Sequence, residues 1–247
     1  MQHPKMILFD YGHTLIHETD SSALRGTQAL MPYVTENPGH YSPEEICAVS
    51  DRLSSEIMLP VRASGLDIHN LNFQRLLYEY LEIKFSCTPE EIEEIFIDHT
   101  FPAEPMPGAR EMISELNRRG IRTGVISNTS FSSSVLHARL NRLLPENRFE
   151  FVMTSSEYIY RKPSKLLFAL ALKKAHLYTS DVWFCGDDVE ADVMGAAGVG
   201  IYPVWYDSPL ACTYRSQAQS LPQGMDCFHI RDWAELTARL EYLQKTE

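Results

Sequence analysis

Met6-Ile7-Leu8-Phe9-Asp10-Tyr11-Gly12-His13 sets four apolar residues in a row against an aspartate and a glycine-containing turn. Such a run has no polar face, so it reads as a strand buried on both sides that ends where Asp10 begins. The period then changes. From about Thr19 to Thr100 no second buried strand is expected. Ser42-Pro43-Glu44-Glu45 and Thr88-Pro89-Glu90-Glu91 are instead helix starts, each a capping box with proline at the first helical position. Ile46, Val49 and Leu53, then Phe73, Leu76, Leu77, Tyr80 and Leu81, then Ile92, Ile95 and Phe96 follow at helical spacing. Their aromatic members read as helix packing, and the block 19–100 is expected to be all helix.

After Pro102, Pro105 and Pro107 strand and helix alternate. An amphipathic helix over 109–119 stops at Gly120, and a strand over 121–126 ends in Ser127-Asn128. A strand over 149–154, a helix over 164–175 and a strand over 181–185 follow, the last running into Gly186-Asp187-Asp188 and a helix to about 197. Strands over 201–205 and 227–230 and a helix over 232–244 close the chain. This order predicts an α/β fold, a parallel sheet with helices on both faces. Residues 1–18 and 101–247 would build it, with the helical block 19–100 inserted after the first strand.

Composition narrows the function. Of 247 residues, 22 are Lys or Arg and 33 Asp or Glu, a net charge of −11 that disfavours a general grip on nucleic acid or anionic membrane. No apolar run approaches the roughly 18 residues of a membrane span, and Met6–Phe9 is too short for a signal-peptide core. Five scattered cysteines (Cys47, Cys87, Cys185, Cys212, Cys227) include no CxxC pair, which argues against zinc and suits reduced thiols in the cytoplasm.

In an open parallel sheet, ligands bind beyond the carboxyl ends of the strands. Asp10, Ser127-Asn128, Lys162 and Asp187-Asp188, with Asp192 one helical turn further, all fall there. Each alone has a plain reading as a turn or helix cap. Together they suit phosphoryl transfer. Asp10 and Asp187 can hold a hard divalent cation such as Mg²⁺, and a carboxylate in that position can attack phosphorus. Ser127 and Lys162 would hold the other phosphate oxygens, and the backbone N–H groups of the Gly12-His13 turn would complete an anion nest.

The ordered set Phe9-Asp10-Tyr11-Gly12-His13-Thr14-Leu15, Val125-Ile126-Ser127-Asn128, Arg161-Lys162-Pro163 and Phe184 to Ala196 resembles the haloacid dehalogenase-like hydrolase superfamily. The resemblance runs from residue 5 to about 245, and Pro107-Gly108-Ala109 fits it too. It implies a Rossmann-like core with a small helical cap of the C1 type over 19–100. It also implies a Mg²⁺-dependent phosphatase acting on a small phosphomonoester, with Asp10 as nucleophile and metal ligand. Ser127 and Lys162 would grip phosphate, with Gly12, His13, Thr14 and Asn128 as further substrate contacts. Asp187 and the Gly12 carbonyl would complete the metal ligands. Asp188 and Asp192 would support them, Asp192 by orienting a metal water or Lys162.

One departure matters. Most phosphatases of this superfamily carry a second Asp two residues after the nucleophile as general acid and base, and here that position is Gly12. General acid–base catalysis is typically worth about 10²–10⁴-fold. Gly12 therefore implies a substrate whose leaving group departs without full protonation, a proton from His13 or His17, or slow turnover that favours transfer to another acceptor or a phosphate-binding pseudoenzyme. Dehalogenases of the superfamily usually have Tyr at that position and lack this acidic fourth motif. Phosphonatases need a cap lysine, for which Lys84 is the sole candidate and has no motif around it. Ile159 stands where many relatives have Gly, which implies a reshaped loop. In the insertion Arg62, His69, Asn70 and Asn72, with His17 and Glu18 at its entrance, are the polar residues able to reach a substrate.

Overall fold

The structure is a computed structural model and describes residues 2–208, 210–212 and 219–246. β1 (Met6–Phe9) is followed by a short β2 (Ile16–Glu18). The chain then leaves for α1 (Ala23–Leu30), β3 (Val34–Glu36), α2 (Pro43–Leu53), α3 (Leu59–Ala63), α4 (Asn70–Tyr80), β4 (Lys84–Phe85) and α5 (Pro89–Thr100). It returns through β5 (Ala103–Pro105) and alternates α6 (Ala109–Arg118), β6 (Arg122–Ser127), α7 (Ser133–Leu143), β7 (Phe149–Thr154), α8 (Lys165–Ala175) and β8 (Val182–Gly186). A wide π-type turn over Val189–Met194 leads into α9 (Gly195–Ala197), and β9 (Tyr202–Tyr206), β10 (Phe228–Ile230) and α10 (Trp233–Gln244) complete it.

Six strands pair in parallel in the order β10-β9-β8-β1-β6-β7. The alternating direction of side chains along β1 explains why all four of its residues are apolar. Ile7 and Phe9 enter the cluster that α6, α7 and α10 cover, whereas Met6 and Leu8 enter the one under α8. All four are fully buried, each contributing about 1.5–3 kcal/mol. β1 lies between β6 and β8, the point where the strand order changes direction, and there the carboxyl edge opens into a crevice.

The insertion has its own apolar cluster, with Leu30, Ile46, Leu77, Leu81 and Ile92 at its centre. It is not all helix: β3 and β4 form a two-stranded antiparallel ribbon within it, and just outside 19–100 β2 and β5 form another where the chain leaves and rejoins the core. At two or three residues these strands are too short to show a period of two, which is why a helical reading of the block missed them.

The insertion rests on the core through buried polar groups. Glu93, fully buried on α5, accepts hydrogen bonds from Asn70 Nδ2 at 3.0 Å, from Ser132 N at 3.3 Å and from the Ser132 hydroxyl. The Asn70 N–H donates to Ser130 O at 2.8 Å. Glu93→Ala leaves Asn70 Nδ2 and the Ser132 N–H and hydroxyl buried without this acceptor and is expected to cost about 2–4 kcal/mol. A shift of the urea midpoint worth under about 1 kcal/mol would show that water replaces the carboxylate.

A second contact joins Gly65–Asp67 to Ile159–Arg161. The Asp67 N–H donates to Ile159 O at 2.6 Å, the Arg161 N–H to Gly65 O at 2.9 Å, and Leu66 bridges antiparallel to Tyr160. Ile159 does this at φ 69°, a left-handed conformation that costs a β-branched residue about 1–2 kcal/mol.

Candidate functional site

Asp10 and Asp187 directly follow β1 and β8, Ser127 ends β6 and Lys162 lies in the loop after β7, and all four line one cavity of about 420 Å³ under the insertion. Lys162 is its electrostatic centre. Its Nζ lies 2.6 Å from Asp10 Oδ1 and 2.6 Å from Asp192 Oδ1, and all three side chains are nearly excluded from solvent. The ammonium also stands 5.3 Å from the centre of the Phe184 ring. Asn128 sets its position: Oδ1 accepts the Lys162 N–H at 2.7 Å and Nδ2 donates to the Lys162 carbonyl at 3.0 Å.

Carboxylate oxygens of Asp10, Asp187 and Asp192 lie within 4.8 Å of one another. Burial raises the Asp10 carboxyl above its usual range; Lys162 opposes the shift and Asp187 adds to it. Burial also pushes Asp192 up to about 7, opposed by Lys162 and assisted by Asp10. Burial pulls Lys162 down, but Asp10 and Asp192 outweigh it and hold the ammonium protonated. Three carboxylates thus face one ammonium, a surplus of buried negative charge with hard oxygen donors. That is the donor set a divalent cation such as Mg²⁺ takes, and it fits these residues without rearrangement of type.

The loop after β8 is shaped to present Asp187. Asp188 Oδ1 caps the π-type turn through the N–H groups of Glu190 and Ala191, at 2.9 and 2.8 Å, and Asp192 Oδ2 accepts the Asp188 N–H at 3.0 Å. Gly186 makes room, since a Cβ there would stand 2.3 Å from Asp192 Oδ2. The Asp187 carbonyl accepts from Gln219 Nε2 at 2.8 Å and Trp205 Nε1 at 3.2 Å, while Gln219 Oε1 takes the Val189 N–H at 2.6 Å. Gln219 therefore clamps the loop that carries Asp187 from a position 30 to 32 residues further along the chain, and nothing in its sequence surroundings marks it.

Two expected substrate contacts face elsewhere. Thr14 is fully buried and its hydroxyl donates to Asp187 Oδ1 at 3.3 Å, steadying that carboxylate instead of lining the cavity. His13, at φ 56°, gives its N–H to Ile16 O at 2.7 Å, so this N–H closes the turn and is not offered to an anion. Its ring Nε2 donates to Leu210 O at 3.0 Å and is also outside the cavity lining. Asn128 lines the cavity, but both ends of its amide are committed to Lys162. Gly12 lines it as well, and among the described residues no hydrogen bond occupies the Ser127 hydroxyl.

A family model for haloacid dehalogenase-like hydrolases matches residues 7–205. A ribulose-1,5-bisphosphate 5-phosphatase of Halopiger xanaduensis is 32% identical over 102 residues, 41% of this chain and 42% of that protein, so the match spans less than half of that relative. A glyceraldehyde 3-phosphate phosphatase of Pyrococcus abyssi is 25% identical over 82% of this chain and 81% of its own. Among solved structures, a 2-haloacid dehalogenase from Pseudomonas syringae superposes with a TM-score of 0.63 at 21% identity, over 97% of this chain and 99% of that one; this likeness is one of fold.

Proposed function

The chain belongs to the haloacid dehalogenase-like hydrolase family, and from that premise we propose that it is a Mg²⁺-dependent phosphatase of small phosphorylated metabolites that works through an aspartyl-phosphate on Asp10. One observation carries the reading: Asp10 sits in a cavity, held by Lys162, with Asp187 and Asp192 crowding its carboxylate. Relatives named as phosphatases of small sugar and triose phosphates support the substrate class. Dehalogenation needs no cation and would leave the surplus carboxylates without a purpose. Residues 1–18 and 101–247 would carry the chemistry and 19–100 would close over it, in the reducing, cytoplasmic setting that five scattered cysteines without a CxxC pair suit.

In this mechanism the Asp10 carboxylate attacks phosphorus, the bond from phosphorus to the ester oxygen breaks, and the organic group leaves. Lys162 and Ser127 hold the phosphoryl oxygens, and Asn128 and Asp192 keep Lys162 aimed. Water then attacks the phosphorus of the aspartyl-phosphate, releasing phosphate and restoring the carboxylate. Mg²⁺, held by Asp10, Asp187 and the Gly12 carbonyl, would neutralise charge on the phosphoryl group. Gly12 offers no side chain to protonate the leaving oxygen, so water takes that part and good leaving groups are favoured.

Phosphate release from p-nitrophenyl phosphate and acetyl phosphate, with Mg²⁺ and with EDTA, tests the proposal. Metal-dependent release from both is the expected result, and none from either would sink it. Across aryl phosphates the rate is expected to rise as the leaving-group pKa falls, and a flat series would count against water as the proton source.

The cation should also reveal itself by pH. Burial pushes the Asp192 carboxyl up to about 7 against a usual 3.8, so the fold holds a proton that the unfolded chain lacks between those values. That contribution to stability is fully present below the usual carboxylate value and is lost as pH rises through the folded one. A cation held by Asp10 and Asp187 beside Asp192 would disfavour that proton and would bind best once it is lost. Mg²⁺ is therefore expected to raise Tm more at about pH 8 than at about pH 5.5. An equal or larger shift at the lower pH would contradict the assignment.

A further inference from the structure

We propose that the cavity holds a second anion-binding position, formed by Arg62 and Arg161, for a carboxylate or second phosphate on the organic half of the substrate. It rests on the phosphatase reading for what is held at Asp10. Arg62 lies on α3 of the insertion and Arg161 in the core loop next to Lys162, and both line the cavity that Asp10 lines. Lys162 cannot also serve this second anion, because two of its three N–H donors go to Asp10 and Asp192 and the third is left for the phosphoryl group.

Both guanidinium groups are fixed by one carboxylate. Asp67, its side chain fully buried, accepts from Arg161 Nη1 at 2.5 Å and pairs with Arg62 Nε at 3.5 Å. The Ser155 hydroxyl and the Ile68 N–H, at 2.6 and 3.1 Å, use up its remaining acceptor capacity. Arg62 Nη2 also donates to the Ser130 hydroxyl at 3.2 Å. Two cations against one anion leave one positive charge at the cavity wall, in a chain whose net charge is −11. Among the described residues Arg62 Nη1 and Arg161 Nη2 have no protein acceptor, and the two side chains keep 36% and 23% of their exposure. Pre-aligned guanidinium forks of this kind suit the planar or tetrahedral oxygens of carboxylate and phosphate.

The surroundings give the position a direction. Glu18, Phe101 and Phe131 also line the cavity, presenting a carboxylate and apolar surface that would reject an anion. Because Arg62 comes from the insertion and Arg161 from the core, an anion held by both also ties the two together beside the Asp67–Ile159 contact.

The test uses pairs that differ in the second anion: 3-phosphoglycerate against glycerol 3-phosphate for a carboxylate, and fructose 1,6-bisphosphate against fructose 6-phosphate for a phosphate. Their binding to the Asp10→Asn protein with Mg²⁺ is measured by calorimetry, and their hydrolysis by wild type beside p-nitrophenyl phosphate. In at least one pair the doubly anionic member is expected to bind roughly 10-fold or more tighter, and the pair that responds identifies the group. Arg62→Ala and Arg161→Ala, with Arg62→Gln and Arg161→Lys should the alanines fold poorly, are expected to bring that ratio toward one. Arg142→Ala, on the exposed surface away from the cavity, should leave it in place. Ratios near one in wild type, or a ratio that survives all the Arg62 and Arg161 variants, would overturn the proposal and leave these residues as ties between insertion and core. Absence of phosphate release from both p-nitrophenyl phosphate and acetyl phosphate would instead defeat the phosphatase reading, and the calorimetry would still decide the anion position.

Discussion

Asp10→Asn is expected to lower Mg²⁺-dependent phosphate release by roughly 10³–10⁶-fold while leaving the protein at least as stable as wild type. The two halves of this expectation have different causes. The amide nitrogen is not a nucleophile, so the aspartyl-phosphate cannot form, and Lys162, Ser127 and the cation alone provide only residual rate. The fold, however, loses one of three crowded carboxylates and keeps an oxygen that can accept from Lys162. Asp192, raised partly by the charge on Asp10, should then ionise at a lower pH. Phosphate release and thermal unfolding measured on the same preparation check both halves. Activity within about tenfold of wild type would remove Asp10 as nucleophile.

Lys162→Met is expected to fail in the opposite way, with the fold suffering along with the rate. Removing one partner of a buried ion pair typically costs about 3–5 kcal/mol, and here one ammonium serves two buried carboxylates. Asp10 and Asp192 would take up protons to escape, so the variant should regain stability as pH falls, through the window in which their raised values lie. Its rate with Mg²⁺ should drop by about 10²–10³-fold for the loss of a charged donor to the phosphoryl oxygens. Urea unfolding across pH separates the effects. Stability unchanged from wild type at neutral pH would mean that the pair is more hydrated than its burial implies.

The contrast between these variants reflects how the site could be read from sequence. Asp10, Ser127 and Asp187 were legible because each stands at the carboxyl end of a strand and Lys162 because it lies in the loop after one, and the parallel sheet brings these ends to one edge. The apolar run Met6–Phe9 likewise announced a central strand, since both of its faces meet helices. What the sequence did not announce depends on side chains meeting across long stretches of chain. Thr14 was read as a substrate contact because it belongs to a motif, and only its burial against Asp187 shows the other use. Gln219 and Trp205 hold the Asp187 carbonyl from loop and strand positions that follow no spacing rule. Arg62, Asp67 and Arg161 come from two regions about a hundred residues apart, and only the docking of the insertion makes them one group.

The left-handed Ile159 sits in the short bridge that docks the insertion, and its carbonyl is the acceptor for Asp67. A residue kept in an uncomfortable backbone conformation by one partner relaxes when that partner lets go. Opening this bridge would return the strain held at Ile159, so the bridge would act as a loaded latch, with substrate that engages both sides holding it shut and product that no longer spans them letting it spring. Deuterium uptake at the Asp67 and Arg161 amides would count each release, and glycine at position 159 should keep the latch shut for longer.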